Sequence, residues 1–183
     1  MLFFLLMFPY TTIFALLYLG WAYILNWQTP SRGGRMITSF RRSKWWKYFC
    51  EFFPLTLVKT ADLDPNKNYI FGYHPHGIIG LGAIGNFGTE ATGFSAKFPG
   101  IVPHLLTLRM NFTFPFIRDL IMASGVCSVD KESIEHILQK MGSGHSVVIV
   151  VGGAAESLDA HPDSLKLTLK DRKGFVKMAL KCG

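Results

Sequence analysis

VVIVVGGAAE, residues Val147–Glu156, is a run of five β-branched residues closed by two glycines, two alanines and an acid. Such a run has no polar face to offer water. It therefore reads as a central strand covered on both sides, the habit of parallel sheets. Just before it, Ser128–Met141 places Ile134, Ile137, Leu138 and Met141 at i, i+3, i+4 and i+7, the apolar stripe of a helix. Asp130 stands where a helix cap belongs, and Gly142 supplies the stop. Upstream, Tyr69–Tyr73 (YIFGY) reads as a short buried strand. Downstream, Leu165, Leu167 and Leu169 alternate as on a half-buried strand, and Arg172–Lys181 returns to a helical period. Strand, helix and strand in succession predict an α/β domain with a mostly parallel sheet.

The chain before this domain has a different character. Met1–Leu25 contains no charged side chain. As one helix it would rise about 37 Å, more than the roughly 30 Å hydrocarbon core of a bilayer. No Lys or Arg precedes the run, and Asn26, Trp27 and Gln28 follow it, which is not the pattern of a cleaved signal. A run apolar on every face also argues against a buried helix of a soluble domain. Pro9 would kink a helix, which leaves one bent crossing or a shallow hairpin open. The expected division is a membrane anchor over 1–27, a basic and aromatic interfacial segment over 28–54, and the folded domain over 55–183. The interfacial segment opens with a turn-rich hinge, Gln28–Gly34 (QTPSRGG), and continues as an amphipathic stretch, Thr38–Phe53, stopped by Pro54.

Arg32, Arg35, Arg41, Arg42, Lys44 and Lys47 cluster in that segment among Trp45, Trp46, Tyr48 and Phe49. Cations beside a membrane segment mark the cytoplasmic side, and aromatic rings favour the headgroup layer. The net charge of +7 thus reads as attraction to membrane lipids. No nucleic-acid motif accompanies it, and nucleic acid is not expected as a partner. Cys50, Cys127 and Cys182 are odd in number and far apart, which suggests neither a disulfide framework nor a metal set and fits a reducing compartment.

The sharpest chemical feature is His74-Pro75-His76-Gly77, directly after YIFGY. Loops at the carboxyl ends of parallel strands are where α/β domains place their sites. Pro75 stiffens the turn, Gly77 permits close backbone approach, and imidazole is suited to taking a proton from an alcohol near neutral pH. The spacing alone leaves metal binding open, but no third or fourth ligand stands at a familiar interval. Gly80-Leu81-Gly82-Ala83-Ile84-Gly85 satisfies a dinucleotide pattern. It lacks the strand-to-helix position and the second-strand acid that the pattern needs, so close packing is its better account. After VVIVV, Gly152 and Gly153 leave backbone amides free for an anion or oxyanion, and Glu156 could orient a histidine; a plain turn is the competing reading.

YIFGYHPHG, Asn86–Ile101 (NFGTEATGFSAKFPGI), Pro115–Val129 (PFIRDLIMASGVCSV), Val150–Glu156 (VVGGAAE) and Arg172–Leu180 (RKGFVKMAL) together resemble the diacylglycerol acyltransferase type 2 family, from about Trp27 to the last residue. The resemblance implies an acyltransferase of the endoplasmic reticulum and lipid droplets, with a hydrophobic anchor and a catalytic part facing the cytosol. Its substrates would be acyl-CoA and a lipid alcohol: diacylglycerol, or the monoacylglycerol or wax alcohol used elsewhere in the family. No cofactor or metal is implied, and self-association is left open. His74 and His76 would belong to the active site, with Glu90 and Glu156 in the matching acidic positions. Glu90 joins the histidines as a catalytic candidate; Gly77, Gly152, Gly153, Glu156 and Arg172 are candidates for substrate or oxyanion binding. Three features depart from the family. Its Tyr-Phe-Pro element is Phe52-Phe53-Pro54 here, the hydrophobic anchor is short, as if one arm of the usual hairpin were missing, and relatives continue beyond the block that opens at Arg172, through Val-Pro and Phe-Gly-Glu elements. A non-catalytic membrane protein that keeps the anchor and the loop is the rival expectation.

Overall fold

Val147 and Val148 are fully buried because their strand has a neighbour on each side. The computed structural model describes residues 9–75, 80–159, 161 and 167–182. Its sheet is formed by β1 (Tyr69–Tyr73), β2 (Val102–Thr107), β3 (Cys127–Ser128) and β4 (His145–Val150), in the order β1-β4-β2-β3 and parallel throughout. The expected α/β class and parallel sheet are found. Among the described residues, the helices of six or more residues are α1 (Pro9–Gly20), α2 (Lys44–Phe52), α3 (Ile117–Ala123), α4 (Lys131–Lys140), α5 (Gly153–Leu158) and α6 (Gly174–Cys182).

The strands alternate as a pleated sheet must. Leu106, Val147 and Ile149 face one side, packed under Ile134, Ile137 and Leu138 of α4 and Met178 of α6. Leu105 and Val148 face the other, with Phe71 alongside, under Met122 of α3 and Phe112. The predicted helix is shorter than its stripe suggests. Ser128 belongs to β3, and the carboxylate of Asp130 accepts from Ser128 Oγ at 2.9 Å and Arg109 Nη1 at 3.2 Å instead of a helix amide. Gly142 ends the helix as expected, at a left-handed φ of 99°.

β2 was not expected, since its second residue is Pro103. The proline is tolerated because β3 pairs only with Leu106 and Thr107, so at Pro103 the strand has β4 as its one neighbour. Another expectation needs correction. Leu165 lies outside the described residues, and Leu167–Leu169 is not a strand: its Thr168 amide is committed to a side chain described below. Gln28–Gly34 is turn-rich as expected and packs on the domain, with Pro30 buried and Gly33 and Gly34 lying against Met141 and Cys127.

The predicted membrane-crossing helix is not supported. Residues 1–8 lie outside the described part, and among the described residues no helix is long and apolar enough to cross a membrane. Instead α1, continued by a π-helical turn over Trp21–Leu25, lies against the domain on Ala15, Tyr18 and Ala22 and exposes Ile13, Phe14, Leu16, Leu17, Ile24 and Leu25. Tyr18 Oη donates to Asp119 Oδ2 at 2.5 Å and accepts from the Phe116 amide at 2.7 Å, while its ring stacks on Phe116 at 4.5 Å. Phe116 stands at a φ of 64°, a strained conformation for a side chain of its size. Arg118 donates to the carbonyls of Ala22 and Asn26, and Arg35 pairs with Asp119 at 3.3 Å. The amino-terminal segment is therefore fastened to α3.

A second fastening is made by Arg41, only 2% exposed and so not available to lipid headgroups as the sequence suggested; Arg32, Arg42, Lys44 and Lys47 are exposed. Arg41 donates Nη2 to Glu90 Oε1 at 2.9 Å and Nη1 to the Ser124 carbonyl at 2.9 Å. Burial acts to raise the pKa of Glu90, but the Ser95 amide and Arg41 outweigh it and hold the carboxyl below its ordinary value. The Arg41→Leu variant should lose about 3 kcal/mol of unfolding free energy near neutral pH, measured by denaturation in detergent, because it strands a largely buried carboxylate. Since the folded-state pKa of Glu90 is depressed, the pair stabilises above the ordinary carboxylate range and fades as pH falls through the depressed value. The deficit of the variant should shrink in acid accordingly.

Candidate active site

His74 is the first residue beyond β1, and Gly152 the second beyond β4, its immediate neighbour in the sheet. A hydrogen bond from the Val151 amide to the Tyr73 carbonyl, 3.1 Å, extends the pairing past the formal strand ends and brings the two loops together. The carboxyl edge of the parallel sheet thus collects the two sequence elements that chemistry singled out.

What joins them is Glu156. It lies in the first turn of α5 and is 3% exposed. Its Oε1 stands 2.8 Å and its Oε2 3.1 Å from Nδ1 of His74, and Oε2 also accepts the Thr168 amide at 2.7 Å. The carboxylate reaches this place by folding back over Gly152. A Cβ at Gly152 would coincide with the Glu156 side chain, so the glycine is required by contact. Gly153 is required by conformation, its φ being 61°. The carbonyl of Gly152 faces Arg172 Nη2 at 3.5 Å. Four expected site residues, His74, Gly152, Glu156 and Arg172, therefore lie in one cluster, with Gly153 at its edge.

His76 and Gly77 lie outside the described residues. Glu90 does not join the cluster: its partners are Arg41 and the Ser95 amide, and of the two acids that the sequence offered to the histidine, Glu156 is the one bonded to it. The fixed geometry has a chemical consequence. A neutral ring that donates Nδ1–H to the carboxylate presents Nε2 as its proton acceptor.

Beside the cluster opens a cavity of about 660 Å³, within the range of about 300–1,000 Å³ usual for ligand pockets. It touches Pro75 and Gly153 at one end, runs along Leu105–Leu108 and under Ile117, Leu120 and Ile121 of α3, and reaches Phe40 and Trp46. Its lining is largely aliphatic and aromatic. Nothing in the sequence marked this space, because it lies beneath β2 and α3, neither of which was read from the residues. The Thr168 amide was equally hidden, since a backbone donor carries no sequence signal.

The remaining candidates resolve differently. Gly82 sits against the Tyr73 hydroxyl and Gly85 against Leu55 and Cys50, so these glycines serve close packing. His104 Nε2 meets His145 Nδ1 at 3.1 Å inside the sheet. Burial first, then the nearby His145 and Arg41, pushes the His104 pKa down to about 4, which keeps that ring neutral. Among the described residues no three His, Cys, Asp or Glu side chains are grouped to hold a metal ion.

Comparison with known proteins agrees with the motif reading. The family described as diacylglycerol acyltransferase matches residues 4–183. Diacylglycerol O-acyltransferase 2 of Xenopus tropicalis is 55% identical over 171 residues, covering 93% of this chain and 47% of the relative. The protein of the same name from Danio rerio is 52% identical over 182 residues, covering 98% of this chain and 50% of the relative. Diacylglycerol O-acyltransferase 2A of Umbelopsis ramanniana is 55% identical over 169 residues, covering 92% and 47%. The chain thus spans about half the length of the curated relatives it matches. No solved structure was found to match it. With a family match over residues 4–183, the chain belongs to the diacylglycerol acyltransferase family.

Proposed function

We propose that the protein transfers a fatty acyl group from acyl-CoA to the hydroxyl of a neutral lipid, diacylglycerol in the first place, with His74 as general base. The observation that carries this reading is the bond of His74 Nδ1 to the buried Glu156 beside a largely apolar cavity. The acceptor hydroxyl gives its proton to His74 Nε2 as its oxygen attacks the thioester carbonyl. The tetrahedral oxyanion is met by backbone amides at Gly152 or Gly77. The carbon–sulfur bond then breaks, coenzyme A leaves as a thiolate, and the imidazolium returns its proton to that sulfur. Glu156 supports the ring while it is charged, as the third member of a triad does. Arg172 steadies the Gly152 turn. No cofactor takes part. His76 is assigned to the site by its place in the same loop. Diacylglycerol is preferred to monoacylglycerol or a wax alcohol because the similar proteins carry that name.

Residence at the endoplasmic reticulum, facing the cytosol, and on lipid droplets follows from the same reading. The exposed apolar side of α1, with Trp45, Tyr48 and Phe52 on α2, rests in one leaflet, and the exposed basic residues around α2 meet phosphate headgroups.

In microsomes containing the protein, His74→Ala should lower turnover at least about a hundredfold, the scale of a lost general base. Glu156→Gln should lower turnover about tenfold or more with the KM for acyl-CoA little changed, since it acts through the ring. Near-normal turnover in the His74 variant removes it from the mechanism. Serine at Phe14, Leu17 and Ile24 together should move the protein from the floating to the soluble fraction in vesicle flotation.

A further inference from the structure

The cavity is not uniformly apolar. At the carboxyl end of β2, Asn111 Nδ2 donates to Thr107 Oγ1 at 2.7 Å, and both residues line the cavity. Around them the lining is Leu106, Leu108, Phe114 and Ile117. The short turn that carries Asn111 is already closed by its backbone, through the Asn111 amide and the Leu108 carbonyl at 3.0 Å. The side-chain pair is therefore more than the turn needs. Among the described residues, no protein partner takes the Thr107 hydroxyl proton, the second amide hydrogen of Asn111, or Asn111 Oδ1. Whichever way the amide is turned, the pair keeps two unspent donor hydrogens and an unspent acceptor, on half-buried residues that line the cavity.

β2 is the strand next to β4, and β4 is next to β1, so Thr107 stands two strands along the same sheet edge from His74. With strands about 4.8 Å apart, that places the pair roughly 10 Å from the histidine. A fatty chain has nothing to offer these groups. A glycerol ester has carbonyl oxygens that accept and a hydroxyl that donates, one glycerol length apart from each other, with apolar tails to fill the rest.

We propose that Asn111 and Thr107 form the polar subsite that holds an ester group of a glycerolipid acceptor, so that its free hydroxyl reaches His74 while its acyl chains occupy the cavity. The pair distinguishes an acylglycerol from a simple long-chain alcohol, which has a hydroxyl for the histidine but no ester for the subsite. This assignment rests on the transferase reading above for its position relative to His74, but its test is one of binding.

The protein in lipid nanodiscs is photolabelled with a diazirine-bearing diacylglycerol and, separately, with a diazirine-bearing long-chain alcohol, and the labelled peptides are mapped. The diacylglycerol should label the segment spanning β2 to α3, and unlabelled diacylglycerol should compete. In Asn111→Leu and in the near-isosteric Thr107→Val, the half-saturating concentration of the diacylglycerol probe should rise about tenfold, the scale of one lost hydrogen bond. That of the alcohol probe should stay the same in all three proteins. Equal diacylglycerol binding by the unchanged protein and both variants overturns the subsite, as does labelling confined to residues outside the cavity. Full turnover in His74→Ala, with the binding differences intact, would overturn the general-base reading and leave the subsite standing.

Discussion

Glu156 is an acid with almost no exposed surface, and an unpaired carboxylate in that position would be costly enough to give up its charge or its place. Its cost is met by two donors, the ring of His74 and the amide of Thr168. Much of the local architecture follows. The glycine at 152 leaves the space that the carboxylate fills. The segment around Leu167–Leu169 stays out of the sheet because one of its amides is committed to Glu156. The two loops that leave β1 and β4, already side by side through the sheet, are tied because the acid belongs to one and the ring to the other. Removing the carboxylate would remove the reason for all three.

The cavity opens beside this pair. It begins at Pro75 and Gly153 and extends under α3, a helix with two different faces. Ile117, Leu120 and Ile121 look into the cavity, while Arg118 and Asp119 are bonded to the amino-terminal segment through Ala22, Asn26, Tyr18 and Arg35. The strained Phe116 backbone is held at this junction by Tyr18. A segment with an exposed apolar outer face is thus fastened directly to a wall of the cavity. Arg41 does similar work on the neighbouring stretch, tying it to Glu90 and to the end of α3.

The sequence was informative where side chains alone decide the outcome. Five β-branched residues at Val147–Val151 could only be covered on both faces, and the stripe of α4 could only lie on a sheet. The HPHG and GGAAE elements could be placed at strand ends for the same reason. Legibility failed where the deciding group was a backbone atom or a distant partner. Nothing local reveals that Pro103 stands beside a missing strand neighbour, that Thr168 spends its amide on an acid twelve residues earlier, or that Arg41 faces Glu90 and not the headgroups. The two acids offered equal claims on the histidine from the sequence; only the buried arginine separates them. The uncharged run at the amino terminus promised a crossing, yet the described part of it lies along the domain, because Tyr18 bonds Asp119 and Phe116 and Arg118 reaches the carbonyls of Ala22 and Asn26.

The account turns on which nitrogen of His74 carries the proton when the ring is neutral. Nitrogen-15 NMR of histidine-labelled protein, with the His74 signals assigned through a His74→Gln variant, reads this directly. Protonation at Nδ1 with a bare Nε2, lost or redistributed in Glu156→Gln, is the predicted result. A neutral ring protonated at Nε2 and indifferent to Glu156→Gln would contradict it.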